Sequence, residues 1–488
     1  MEKSILNKVK SSFIQLFTGE TVTFFATFLA GYFYALILGP SDYGVWQTAK
    51  VFISYSIVFT FSLPFVMRRD FVMLRAEGKH EEARRIADLV FTYELFVTPI
   101  LSLGLILYSL FYIEAYLLKI SMITVGLIYV SQFIGGYSNI LAKGLNNYRL
   151  LKEASILNAM LTILSIPLVY FWGIKALLIA TVIMAIANSV FHYLKRPFNY
   201  RIFWDNKLFK TLLVISFPLY LQDISATIFD SIDRLLIARY LNFAEVGFYS
   251  LSGLVIIPLR LFISSFSVVL FTQLNEKYGY SKEDSVIEKH VLVPHSILSY
   301  LVPPLLGVAV VVLPYVVSIF LPKYLPGIIP AQIALFATFI YLLNSFSANA
   351  LFVVNKQKKT AIVYLIVGVL KTGLCFLSLF YGYGIIGVAL STVVVYLILE
   401  FMMLRIVFIQ LKRSFNELLS HFSKLIFPCL WVAIVCIIYI KYLLPYLDRM
   451  LPGYTIVVPI VGVCFVLLTS SPLILIGYRR INSLLSKT

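Results

Sequence analysis

Apolar residues in this chain come in long stretches divided by short polar turns, from near the first residue to near the last. Most stretches run for about 18 to 25 residues, enough for a helix rising about 1.5 Å per residue to cross about 30 Å of hydrocarbon. The pattern predicts spans at 13–37, 44–65, 88–110, 120–142, 154–171, 175–194, 212–240, 246–271, 291–320, 328–352, 361–380, 385–409, 424–444 and 454–477. That is an all-α integral membrane protein of about fourteen transmembrane helices. The segment 291–320 carries Pro303, Pro304 and Pro314, whose missing donors and ring clashes predict a kinked element there, not one straight helix.

One turn is written twice. After the first span the chain reads LGPSDYGVW (38–46), and after the seventh it reads YLNFAEVGFYS (240–250). An offset of 203 pairs Ala35 with Ala238, Leu38 with Leu241, Asp42 with Glu245, Gly44 with Gly247 and Trp46 with Tyr249. A later echo, WGIKALLIATVI (172–183) against YGIIGVALSTVV (383–394), recurs at an offset of 211. Six spans is an even number, so both copies face the same way: a parallel repeat about an axis along the membrane normal. The repeat predicts an N-terminal lobe at 1–194 (spans one to six), a C-terminal lobe at 195–410 (spans seven to twelve) and two additional spans in 411–488.

Composition agrees with a lipid solvent. Of 488 residues, 60% are hydrophobic and only 13% charged, with a mean hydropathy of +0.92. The N-terminus, MEKSILNKVKSSF, is a basic amphipathic lead-in, and Glu20 interrupts the apolar stretch after it, so no cleavable signal peptide is expected. Cys375, Cys429, Cys436 and Cys464 all fall inside predicted spans and show neither a disulfide framework nor metal spacing.

The net charge of +17 would suit a nucleic-acid partner, but its distribution excludes one. Of forty Lys and Arg, 29 lie on one set of connections and the tails, against five on the opposite set (Lys119, Lys175, Lys323, Lys441 and Arg449). That asymmetry places both termini in the cytoplasm and the chain in the cytoplasmic membrane of the cell. The outward connections are all short, leaving no external domain for a catalytic centre. The longer inner ones, 67–85 and 272–290, carry no phosphate-binding loop or metal-ligand cluster. No enzyme activity, cofactor or metal is expected, and an ATP-driven cycle would need its nucleotide domain on another chain.

At this point the sequence resembles polysaccharide-export proteins of the O-antigen flippase (Wzx) type, within the multidrug/oligosaccharidyl-lipid/polysaccharide (MOP) superfamily. The resemblance rests on FTGE (17–20) before LGPSDYGVW, on SFPLYLQDISATIFDSIDRLLIARYL (216–241) before the second turn, and on YGYGIIGVALSTVVVY (381–396). It covers nearly the whole chain in order of features, with loose motifs. It implies two six-helix lobes around a central cavity, often with two further helices, and alternating-access transport of lipid-linked sugars or small cations.

Charged residues inside the spans are the candidate site. The cations are Lys50, Arg234, Arg239, Arg260, Lys371 and Arg405. Lys50, Arg239 and Arg405 lie within about two turns of an interface and can snorkel, whereas Arg234, Arg260 and Lys371 lie deeper and need a partner or a wet cavity. Arg234, Arg260, Lys371 and Arg239 are therefore the candidate substrate-binding residues, with a buried ion pair as the plain alternative. Span seven carries Asp223, Asp230 and Arg234 at i, i+7 and i+11, one helical stripe, with Asp233 beside it. Glu20, which the repeat sets opposite Asp223, joins Asp223, Asp230 and Glu400 as the candidate ion-coupling or cavity carboxylates. His290 and His295, at a span entrance, and His192, at a span end, read as interfacial residues.

These features favour a flippase for a lipid-pyrophosphate-linked oligosaccharide, since deep Arg and Lys complement phosphates. Its partners would be that lipid-linked oligosaccharide, the bilayer and other polysaccharide-assembly proteins. A drug or cation antiporter of the same superfamily is the alternative, with the deep cations against it. A membrane glycosyltransferase or polymerase would need substantial external loops.

Overall fold

The computed structural model describes residues 2–257, 259, 267, 270, 274, 283–354, 356–450 and 457–485, and among them the chain is almost wholly helical, with no strand. The helices are α1 (Glu2–Phe59), α2 (Leu63–Ala76), α3 (His80–Tyr112), α4 (Tyr116–Gly144), α5 (Tyr148–Leu194), α6 (Asn206–Tyr240) and α7 (Phe243–Ile257). They continue with α8 (Asp284–Phe320), α9 (Ile328–Val353), α10 (Gln357–Phe380), α11 (Gly384–Gln410), α12 (Phe415–Ile438), α13 (Leu444–Met450) and α14 (Val457–Leu485). Eleven helical stretches among the described residues are long and apolar enough to cross a membrane. Two of them each run through a pair of the predicted spans. Gly39 (φ 73°) interrupts α1 and Gly173 (φ 62°) interrupts α5, both in a left-handed region open to glycine. The first polar turn is thus a one-residue break followed by Pro40, not a loop. Much of predicted span eight and of the connection 272–290 lies outside the described residues.

The chain divides into two compact units, Met1–Gly247 and Phe248–Thr488. In the first, α1 packs against α4, α5 and α6, and α3 against α2 and α4. The charged stretch after span two forms the amphipathic α2, whose Leu63, Val66, Met67 and Phe71 are buried in a core shared with Ala83, Ala87 and Val90 of α3. The connection 195–205 is strapped over this end of α3. The Phe203 amide donates to Thr92 Oγ1 at 2.9 Å, the Arg201 amide to Asp88 Oδ1 at 3.3 Å, and Arg84 donates to the Asn199 carbonyl at 3.0 Å. Burial of the Tyr200 ring in this strap raises its phenol above the usual pKa.

The duplicated turns meet. A Cβ on Gly44 would lie 1.7 Å from the carbonyl oxygen of Phe243, and a Cβ on Gly247 would lie 2.0 Å from that of Pro40. At the offset of 203, Phe243 is the counterpart of Pro40 and Gly247 of Gly44, so the contact is reciprocal. The second echo agrees in conformation, since Gly173 (φ 62°) and its counterpart Gly384 (φ 57°) share the left-handed backbone.

In the second unit α9 packs on α11, α10 on α11, and α8 on α9, α12 and α14. Glycines let α12 and α14 approach α8 closely. A Cβ on Gly307 would meet Val432 and Val466, and one on Gly462 would meet Tyr439 and Val311. The segment 291–320 lies within a single helix, α8, which runs from Asp284 to Phe320 with four prolines inside. One freed carbonyl shows how this is tolerated. Pro314 cannot donate to Val310, and the side-chain amide of Gln332 on α9 donates to that carbonyl instead, at 2.9 Å.

Candidate functional site

Helix α6 starts cleanly because Asp205 caps it, accepting from the Lys207 and Leu208 amides at 2.8 and 3.1 Å, and it stays helical through Pro218 to Tyr240. That continuity puts Asp223, Asp230 and Arg234 on one face. Asp223 is half-buried and accepts from the Ser62 hydroxyl at 2.5 Å; Asp230 is exposed. Asp233 is buried and accepts from the Arg234 amide at 2.9 Å. The half-buried Arg234 lies close enough to Lys50 and Tyr43 of α1 to act on both electrostatically, and its Nε has no hydrogen-bond partner among the described residues. Lys50, read from the sequence as an interfacial residue, thus joins Arg234. Arg239 is exposed, its guanidinium 5.8 Å from the centre of the Tyr240 ring. Glu20 is exposed on α1.

In the second unit Lys371 is 1% exposed on α10, its ammonium 5.8 Å from the Tyr396 ring of α11. Glu400 is wholly buried, and so is His295, whose Nδ1 is 3.8 Å from Glu400 Oε1. The sequence reading of His295 as an interfacial residue is therefore corrected: α8 extends well beyond the predicted start of its span and carries it into the packed interior. His295 Nε2 lies 3.0 Å from the Leu343 carbonyl, an arrangement that fixes the ring proton on Nε2. Asn344 and Ser347 of α9 face Glu400, yet neither closes a hydrogen bond to it. His421 of α12 stacks on His295 with ring centres 6.0 Å apart. It also lines a cavity of about 310 Å³ with Arg413 and Lys424. Arg413, in the connection between α11 and α12, binds Glu288 at 2.7 Å and Glu417 at 2.9 Å, and these carboxylates raise its pKa further. Arg260 lies outside the described residues. No group of three or more metal-ligating side chains occurs among the described residues.

A family described as "Polysaccharide biosynthesis protein" matches residues 33–330, more than half of the chain. The chain belongs to this family. No curated protein matches it in sequence. Among solved structures, the lipid II flippase MurJ in an inward closed conformation has a TM-score of 0.69 at 16% identity, covering 95% of this chain and 99% of that one. An inward-facing multidrug resistance MATE family transporter of the MOP superfamily scores 0.66 at 14% identity, covering 82% and 99%. A MOP superfamily transporter from Pyrococcus furiosus, described as having a binding pocket of reverse polarity, scores 0.55 at 14% identity, covering 89% and 96%. The chain therefore has the all-helical fold of MOP flippases and transporters and is a multi-pass membrane protein of polysaccharide biosynthesis.

Two residues of these sites escaped the sequence reading besides Lys50. His295 was visible only as a histidine near a predicted boundary. Glu94 was overlooked, although an acidic residue inside the predicted span 88–110 is itself a signal, since such a residue is costly in lipid. It is 7% exposed and lines a cavity of about 280 Å³ within the first unit.

Proposed function

We infer that this family member is a flippase that moves a lipid-pyrophosphate-linked oligosaccharide across the cytoplasmic membrane by alternating access, and that it is a transporter without catalytic activity. The observation that carries the reading is the approach of Lys50 and Arg234 inside predicted spans, with the Arg234 Nε unpartnered among the described residues. Two cations from different helices repel each other, and a phosphate group between them removes that cost. Arg239, Arg260 and Lys371 complete the proposed set of substrate cations, and Glu20, Asp223, Asp230 and Glu400 the set of coupling carboxylates. The lobes remain proposed at 1–194 and 195–410, with 411–488 as accessory spans, and both termini in the cytoplasm.

Translocation of a lipid-linked oligosaccharide in reconstituted vesicles tests this. Arg234→Ala is expected to slow translocation by about 30-fold or more, the effect of losing a desolvated charge pair worth about 2 kcal/mol. Arg234→Lys is expected to keep part of the rate, because lysine lacks the guanidinium fork. Wild-type rates for Arg234→Ala would overturn the assignment. In the same vesicles, Glu20→Gln or Asp223→Asn should abolish the response to an imposed ion gradient while sparing binding; unchanged gradient sensitivity would remove them from coupling.

A further inference from the structure

The cavity at Glu94 lies wholly within the first unit, neither Lys50 nor Arg234 is among its described lining residues, and its chemistry has the opposite sign. Helices α1, α3 and α4 enclose it, with Phe59 and Pro64 near the α1–α2 junction. Its one ionisable acid is Glu94, and no Lys, Arg or His is among its described lining residues.

The Glu94 side chain takes no hydrogen bond and no ion pair from the described residues. The Thr98 hydroxyl does not relieve it, because Thr98 Oγ1 donates to the Glu94 backbone carbonyl. The surrounding tyrosines are committed elsewhere as well. Tyr93 donates its hydroxyl to the Phe59 carbonyl at 2.9 Å, Tyr137 to the Ala87 carbonyl at 2.9 Å, and Tyr129 to the Phe52 carbonyl. These bonds fix the rings, so they offer the chamber aromatic surface and no free O–H. Phe133 adds another ring, and Gln132 a neutral amide. A carboxylate without donors, walled by π faces, complements a positive, weakly hydrated ligand. It is a poor match for an anion, whose charge the carboxylate would repel.

Size decides between a bare ion and an organic one. About 280 Å³ is far more than a dehydrated metal ion fills, and suits a ligand of about ten heavy atoms. Room at Gly136 agrees: this glycine of α4 lines the chamber, and a Cβ built on it would meet nothing within 4 Å. We propose that the Glu94 chamber is a binding site for a small organic ammonium ion, its charge held by the Glu94 carboxylate and its carbon groups by Tyr93, Tyr129, Phe133 and Tyr137. This goes beyond the flippase reading and does not rest on it, since it concerns a different set of residues and a ligand of opposite charge.

The test uses the full-length chain in nanodiscs of zwitterionic phosphatidylcholine at pH 8, with radiolabelled benzyltrimethylammonium as the probe. Neopentylbenzene, its neutral isostere, is the competitor. Saturable one-to-one binding is expected, at least about tenfold weaker in Glu94→Gln, the change expected for loss of one cation–carboxylate contact. In Gly136→Leu, which fills the chamber from a position with space for the side chain, binding should be lost, and neopentylbenzene should not compete. Thermal unfolding of both variants alongside wild type verifies that they are folded. Absence of saturable binding to the wild type would overturn the proposal and leave Glu94 a protonated packing residue. Equal affinity in folded Glu94→Gln would overturn it too. Competition by neopentylbenzene at equal potency would do the same, making the chamber an apolar slot for lipid.

Discussion

Gly44 and Gly247 have the least freedom of any residues described above. Each has the other turn's backbone where a side chain would begin, at 1.7 and 2.0 Å. Backbone cannot rotate away as a long side chain can, so the two helix starts would have to separate. Gly44→Ala and Gly247→Ala should each destabilise the protein by more than about 3 kcal/mol, at the upper end of overpacking costs. Because the contact is reciprocal, the two variants should be affected alike. Gly253→Ala is the control, since nothing among the described residues lies within 4 Å of its Cβ. Thermal unfolding in detergent reads all three, and a Gly44→Ala variant as stable as Gly253→Ala would refute the close approach.

At the scale of elements, α8 shows how a proline-rich segment stays helical in a membrane. No water is at hand to take up a carbonyl freed by proline, so another protein group must do it. Gln332 does so for Val310. Gln332→Ala should therefore cost about 1–3 kcal/mol, the penalty of an unsatisfied buried acceptor. The same change made with Pro314→Ala should cost much less, because residue 314 regains its N–H and can close the bond to Val310 itself. Unfolding midpoints of the two single variants and the double variant form the cycle. Strict additivity would mean that Gln332 acts elsewhere.

At the scale of the whole chain, the prediction is topology. The 29-to-5 division of basic residues sets the connection at Lys79 inside and the turn at Ser41 outside. Both sites are exposed, and the Lys79 ammonium is paired with Glu77 at 2.8 Å, which raises its pKa. Cys375, Cys429 and Cys436 are buried, so replacing Cys464 alone gives a quiet background. In Cys464→Ser cells, an impermeant maleimide should label Ser41→Cys from outside, and Lys79→Cys only after permeabilisation. The reverse pattern would invert the orientation.

Span length, basic-residue asymmetry and the duplicated turn were legible in the sequence because each depends on local chain chemistry. An apolar stretch is long enough to cross hydrocarbon or it is not, and Gly39, Gly173 and Gly384 announce left-handed backbone wherever the chain goes. Tertiary structure decided which polar groups meet. Asp223 with Ser62, Lys50 with Arg234 and Glu400 with His295 are more than a hundred residues apart in each case, and no periodicity encodes such pairs. The prolines of α8 were legible too, but not the group that satisfies Val310, because it comes from another helix. Glu94 shows the limit most plainly. Sequence gives a carboxylate in an apolar helix, but three tyrosine hydroxyls bonded to backbone carbonyls made its surroundings a chamber of ring faces, and only packing could turn those hydroxyls away from it.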